Sequence, residues 1–202
     1  MRGFSDEERE QIRADLMDAG ETLFARFGLA KTTVTELTDE VGIGTSTFYQ
    51  FFESKEELYL AVLQRVAEDV YHEMRAAGIP EIDDPYRMTI ELLNYIVDEI
   101  ESNPLIRQLI VDDELGRLRS SQSPAEREAE RQADIGYIET FVEPFFETGR
   151  IWGPDSETVA AAIAAIPYVA LHRDDIGEER YSAVRDYIIE AFARGVTATE
   201  VK

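Results

Sequence analysis

Between positions 45 and 50 the chain places Thr45, Ser46, Thr47, Tyr49 and Gln50, with only Phe48 lacking a polar group. Hydroxyls and a carboxamide are poor general acids or bases at neutral pH, but each both donates and accepts hydrogen bonds. That chemistry suits the edges of bases and the oxygens of phosphates. The residues lie in an uncharged window, Val41 to Phe52, within a chain that is 31% charged. The window is small and hydroxylated at its start and aromatic at its end. A short helix built from it would show hydroxyls on one side and rings on the other, slim enough to enter a DNA major groove.

Other chemistries are poorly provided for. There is no cysteine, so disulfides, thiolate nucleophiles and zinc-thiolate sites are out of reach. With two histidines, a hydrolytic Ser–His arrangement finds no convincing partners. A helical di-metal carboxylate enzyme needs two Glu-x-x-His pairs. Only Asp69-x-x-His72 comes close, and His172 has no carboxylate three residues before it. No phosphate-cradling glycine loop occurs. The expectation is a protein that is not an enzyme and holds no cofactor and no metal.

The net charge of −22 runs against a nucleic-acid partner, since counterion release from phosphates normally calls for a basic surface. Lysine occurs only at 31, 55 and 202. An acidic, lysine-poor chain with 44% hydrophobic residues fits a halophilic protein working at ~1 M salt, where the Debye length falls to ~3 Å and self-repulsion is screened. There the phosphate attraction is already weak, so few cations are needed. The N-terminus has no apolar run of the secretory kind, and the longest apolar stretch, 159–171, is short of the ~20 residues a bilayer requires. A cytoplasmic protein without a membrane segment is expected.

The elements that must hold the hydroxyl window are helical from end to end. Capping boxes at Ser5/Glu8, Thr33/Glu36 and Ser54/Glu57 predict three helix starts, with Gly28 and Gly42 as stops. The third helix is expected over about 45–51, and a long fourth from 54 towards Gly78. Beyond it, Asp84-Pro85, Asn103-Pro104 and Ser123-Pro124 announce helices to about 102, 119 and 148, the last kinked at Pro144. A loop over 149–154 carries Trp152. An alanine-rich helix over 156–172, bent near Pro167, a turn at 174–177 and a final helix over 179–194 bring the expected count to nine. The fold class is all-α.

At this point the chain resembles the TetR-type transcriptional regulators. The likeness rests on Ala19-Gly20-Glu21-Thr22-Leu23-Phe24-Ala25-Arg26-Phe27-Gly28, on Thr32-Thr33, on the turn Gly42-Ile43, and on Thr47-Phe48-Tyr49-Gln50-Phe51-Phe52-Glu53-Ser54-Lys55-Glu56-Glu57-Leu58. It covers about 5–66. It implies a three-helix helix-turn-helix DNA-binding domain (1–56) joined by the long fourth helix to a larger helical ligand-binding and dimerisation domain (57–202). By the resemblance, Thr33 and Lys55 meet phosphates, Tyr49 reaches the DNA backbone, and Thr45, Ser46, Thr47 and Gln50 face the groove. Phe48 and Phe52 pack inward against Phe24, Phe27 and Leu37. The chain departs from the family at Gly44-Thr45, where a basic or serine pair is usual, at Ser46 in place of glycine, and at Phe51 in place of His or Tyr, which removes a phosphate contact.

The resemblance further implies a small-molecule effector that shifts the spacing of two heads. Its expected lining is apolar and aromatic: Met88, Leu92, Tyr95, Ile110, Tyr137, Phe141, Phe145, Trp152 and Tyr168. The effector is then lipophilic or aromatic. The last two helices, with Ala160, Ile163, Ala164 and Val169 on one and Tyr181, Val184, Tyr187, Ile188 and Ala191 on the other, suit a homodimer through a four-helix bundle. Such a dimer would set recognition helices ~34–36 Å apart on double-stranded operator DNA. The expected function is a repressor released by its effector. The alternative is a helical scaffold, binding small molecules or proteins, that has lost DNA binding.

Overall fold

The computed structural model describes residues 4–111, 118 and 122–197, of which 108–111, 130 and 171 are described by backbone alone. All regular structure among these residues is helical. Helix α1 spans Asp6–Lys31, α2 Val34–Val41, α3 Thr45–Phe48, α4 Lys55–Ala76, α5 Pro85–Ser102 and α6 Pro104–Val111. Then come α7 at Pro124–Glu147, α8 at Ser156–Ala165, a 3-10 segment at Ile166–His172, α9 at Arg173–Ile176 and α10 at Glu178–Thr197.

Local chemistry accounts for most of these boundaries. Ser5, Thr33 and Ser123 each accept from the backbone N–H three residues on, while Glu8, Glu36 and Glu126 accept from the cap residue's own N–H. Both partners of each box therefore satisfy N–H groups that a helix start leaves unbonded. The box at Ser54 is offset: Ser54 Oγ accepts from Glu57, but the Glu57 carboxylate takes the N–H of Glu53. Gly42 ends α2 in the left-handed region at φ +74°, a conformation that a Cβ disfavours.

Three expectations need correction. Helix α3 stops at Phe48, not near 51, because the N–H groups of Gln50 and Phe51 bond the carbonyls three residues back, winding the chain into a tighter turn. Gly28 does leave helical geometry, at φ +76°, but one more turn follows before the cap at Thr32, whose N–H and hydroxyl both donate to the Gly28 carbonyl. Pro167 turns the alanine-rich helix from α to 3-10 winding, and the turn at 173–176 closes as a short helix. Hence ten α-helices and a 3-10 segment stand among the described residues, against nine expected helices. Helix α7 runs through Pro144 as one continuous element. The expected stretch of α6 towards 119 lies, apart from Leu118, outside the described residues beyond Val111.

The chain divides into two compact units, Met1–Val70 with Asn103–Ser121, and Tyr71–Ser102 with Gln122–Lys202. In the first, α1 packs on α2 and α6 around Leu16, Phe24, Leu29, Leu37, Phe48, Phe52, Leu58, Tyr59 and Val62, all sealed from solvent. Phe24 meets Tyr59 edge to face, with ring centroids 4.8 Å apart. Gly20 lets α1 and α4 close, since a Cβ there would lie 3.2 Å from both Phe24 and Val62. In the second unit α7 packs on α8, and α5 on α10 and the 3-10 segment. Ala160, Ile163 and Tyr181 point inward there.

The Glu36 cap has a pH signature. Hydrogen bonds from the Thr33 hydroxyl and N–H hold its carboxyl below the ordinary value of 4.5, with a smaller contribution from the charge on Lys55. A group whose folded pKa is depressed stabilises the fold above its unfolded pKa and loses that contribution as pH falls through the folded value. The expected result is that Glu36→Gln melts below the parent at pH 7 and that the gap closes as the pH drops below 4.5. Thermal melts in molar KCl, where relief of self-repulsion is screened, check it. A gap that stays constant with pH contradicts the assignment.

Candidate nucleic-acid interface

Helices α2 and α3, joined by the turn at Gly42, sit in the order of a helix-turn-helix. The Ile43 N–H bonds the Thr38 carbonyl, and the Thr47 and Phe48 N–H groups bond Gly44, so the turn is hydrogen-bonded throughout. Phe48 is sealed from solvent, with Phe52 beside it at a centroid distance of 5.9 Å and Tyr49 edge-on at 5.4 Å. Packing this ring fixes the rotation of α3 about its axis. Thr45, Ser46 and Gln50 are consequently exposed, Thr47 is half-buried, and Tyr49 stands 59% exposed. The whole uncharged edge thus faces solvent, and its aromatic backing faces the core.

The flanking residues are more engaged. Thr33 is exposed at the cap of α2, and its hydroxyl donates to Glu36 at 2.8 Å. Lys55 pairs with neither Glu56 nor Glu57. Its Nζ donates to the carbonyls of Leu29 at 2.6 Å and Thr32 at 2.9 Å, where α1 ends and its dipole favours a cation. An ammonium has three donors, so one remains for a phosphate. Phe27, expected in the core, is 40% exposed with the Arg26 guanidinium 4.8 Å over its ring. It lies just before the break at Gly28, where α1 leaves helical geometry.

Two functional candidates escaped the sequence reading. The Arg9 guanidinium lies 4.9 Å from the Phe51 centroid, and Arg13 lies 4.5 Å from that of Phe52. Their spacing of one helical turn on α1 was visible, but nothing local linked them to rings so far along the chain.

Eight residues of the expected effector lining are dispersed in the second unit, whereas Ile110 belongs to the first. Met88 and Leu92 are wholly inaccessible, so no space wide enough for water touches either. Phe141 and Phe145 are buried. Tyr95 donates to Glu73 at 2.9 Å, and partial burial with that carboxylate pushes its phenol up to about 12. Tyr137 stacks on Tyr71 at 3.6 Å and donates to the Tyr71 carbonyl. Trp152 and Tyr168 are 60% and 52% exposed. The side chain of Ile110 lies outside those described. A cleft of about 430 Å³ is bounded by Ile90, Asn94, Asp98, Arg185, Ile189 and Glu190, and only Tyr95 of the nine candidates borders its neighbour of about 370 Å³. Among the described residues no cluster fit to bind a metal occurs, and no helix is long and apolar enough to cross a membrane.

The geometry is that of an aromatic-backed helix-turn-helix with a polar, solvent-facing edge, followed by a second, all-helical unit. Residues 16–62 match the family model described as bacterial regulatory proteins, tetR family. The HTH-type transcriptional regulator TtgR of Pseudomonas putida is 28% identical over 103 residues, 51% of this chain and 49% of that protein. The chain thus spans about half the length of this curated relative. A tetR-family transcriptional regulator from Pectobacterium atrosepticum has the same fold at TM-score 0.76 and 18% identity, covering 97% of this chain and 99% of that one. RolR in complex with the ligand resorcinol aligns at TM-score 0.67 and 22% identity, over 98% of each chain.

Proposed function

We propose that the chain is a ligand-responsive transcriptional regulator that binds double-stranded operator DNA, acting as a repressor released by a small effector. The observation that carries this reading is the outward uncharged edge of Thr45, Ser46, Thr47, Tyr49 and Gln50, which offers hydrogen bonds without placing carboxylates against phosphates. Residues 1–56 supply the duplex-binding part, with Thr33 and the third donor of Lys55 on phosphates, and 57–202 the effector and pairing part. The test is selection of genomic duplexes by the full chain at ~1 M KCl, the range where a protein of this charge is screened. Recovery of a shared sequence supports the reading, and failure to retain any duplex overturns it. The second reading, a scaffold without DNA binding, draws on the Thr33 hydroxyl and Lys55 ammonium being already bonded within the protein.

The effector in this reading is a small aromatic or lipophilic molecule, as RolR's resorcinol illustrates for a chain of the same fold. Because Met88 and Leu92 are sealed, its site opens only in a conformation that the ligand selects. Pairing of two copies runs through the last two helices, where Tyr187 is 75% exposed beside half-buried Val184 and Ile188. Covering such rings against their own copies removes an apolar patch from water.

The acidic surface is assigned to a halophilic, cytoplasmic setting. Its expected signature is a melting temperature that climbs as KCl is raised towards molar concentrations, because screening relieves the repulsion within a chain of charge −22. A melting temperature indifferent to KCl would falsify the salt adaptation while leaving the DNA-binding reading intact.

A further inference from the structure

We infer that Arg9 and Arg13 are the phosphate-binding cations of this head, held ready on the rings of Phe51 and Phe52. The inference rests on the DNA-binding reading above and names residues that reading does not use. Several other guanidiniums are neutralised: Arg65 pairs with Asp18 and Glu21, and Arg131, Arg150, Arg173, Arg185 and Arg194 each have a carboxylate partner. Arg9 and Arg13 are exposed and form no ion pair among the described residues, although Glu8 and Glu10 adjoin Arg9 in the chain. Glu8 is turned to the N–H of Ser5 instead.

What holds these two arginines is aromatic. Arg9 lies 4.9 Å from the Phe51 centroid and Arg13 4.5 Å from that of Phe52. Stacking on a ring orients a guanidinium without cancelling its charge, which a carboxylate would do. Arg9 also donates to the backbone carbonyl of Gln50 at 3.3 Å, which sets it beside the last residue of the hydroxyl edge. A guanidinium has five N–H donors in a fixed fork. With one used on Gln50 and its face on the ring, the others are free for a phosphate flanking α3. Phe4 closes on Phe51 from another side, at a centroid distance of 6.5 Å. Phe51, which lacks the polar group usual at its position in the resembling family, thus contributes a platform for a cation brought by α1.

The experiment titrates the selected genomic duplex with the full-length protein by fluorescence anisotropy over a series of KCl concentrations. Arg9→Gln and Arg13→Gln are each expected to flatten the slope of log K against log [KCl] by ~0.9, the counterion release of one phosphate contact. Arg9→Lys keeps the charge and is expected to keep most of the slope. Arg180→Gln, an exposed change in the second unit with the same loss of charge, should leave the slope unaltered. Melting temperatures near that of the parent confirm that the exposed substitutions do not act through folding. A parent that binds while both glutamine variants retain its slope and affinity overturns the inference alone. A parent that binds no duplex overturns the regulator reading and the inference together.

Discussion

Replacing Thr47 and Tyr49 together by alanine is expected to abolish discrimination between the selected duplex and a scrambled one while the protein stays folded. Both side chains leave α3 on its solvent side, Tyr49 with 59% of its surface open and Thr47 half-buried beside it. A direct base contact is worth ~1–3 kcal/mol, and a Tyr hydroxyl on the backbone fixes the register in which such contacts form. Losing both contributes a combined ~3 kcal/mol, about 100-fold in affinity at ~1.4 kcal/mol per decade. Surface truncations of this kind shift stability little. Anisotropy titrations with the two duplexes, alongside a thermal melt, read both halves. Should the double variant bind the selected duplex as tightly as the parent, α3 does not read the groove.

Phe48→Ala separates the two faces of the same helix. Phe48 is fully buried, and its ring is the contact that sets the roll of α3 against Leu37 and Phe52. Truncating a buried phenylalanine costs ~3–5 kcal/mol through lost burial and the cavity left behind. A small domain has total stability of ~5–15 kcal/mol, so most of its margin goes. The expected outcome is loss of duplex binding accompanied by a lowered melting transition and early amide exchange in α2 and α3, the opposite stability pattern to the Thr47/Tyr49 variant. A Phe48→Ala protein with the parent's melting temperature would show that the ring does not anchor the helix.

How much of this could be read from the residues depends on the range of the interaction. Capping boxes at Ser5 and Thr33 were readable because both partners sit three positions apart, and proline at the first turn of α5, α6 and α7 is similarly local. The box read at Ser54 is offset by one residue, and the full box at Ser123 was read only as a Ser-Pro start. The face of α3 was readable because a run of hydroxyls, Thr45 to Thr47, meets the single apolar ring of Phe48 within one turn. The end of α3 was not, since whether residues 49–51 bond four or three back depends on how Phe51 and Phe52 meet α1. Nor was the partner of Lys55: its glutamate neighbours compete with the carbonyl end of α1, and the carbonyls win because they converge on one point. The effector lining was the hardest to read. An apolar residue at helical spacing is sealed core in Met88 and solvent-facing in Tyr168, and the sequence pattern is the same for both.

Trp152 has a practical consequence. It is the only tryptophan, and it donates its indole N–H to the carbonyl of Gly195 at 2.7 Å while its backbone N–H bonds Val196. Indole emission from this chain therefore reports one place, the closing turn of α10. An unfolding curve followed by that fluorescence follows the C-terminal unit and is blind to melting of residues 4–70, which only the tyrosine and far-ultraviolet signals register. Disagreement between the optical probes would then measure how independently the two units come apart.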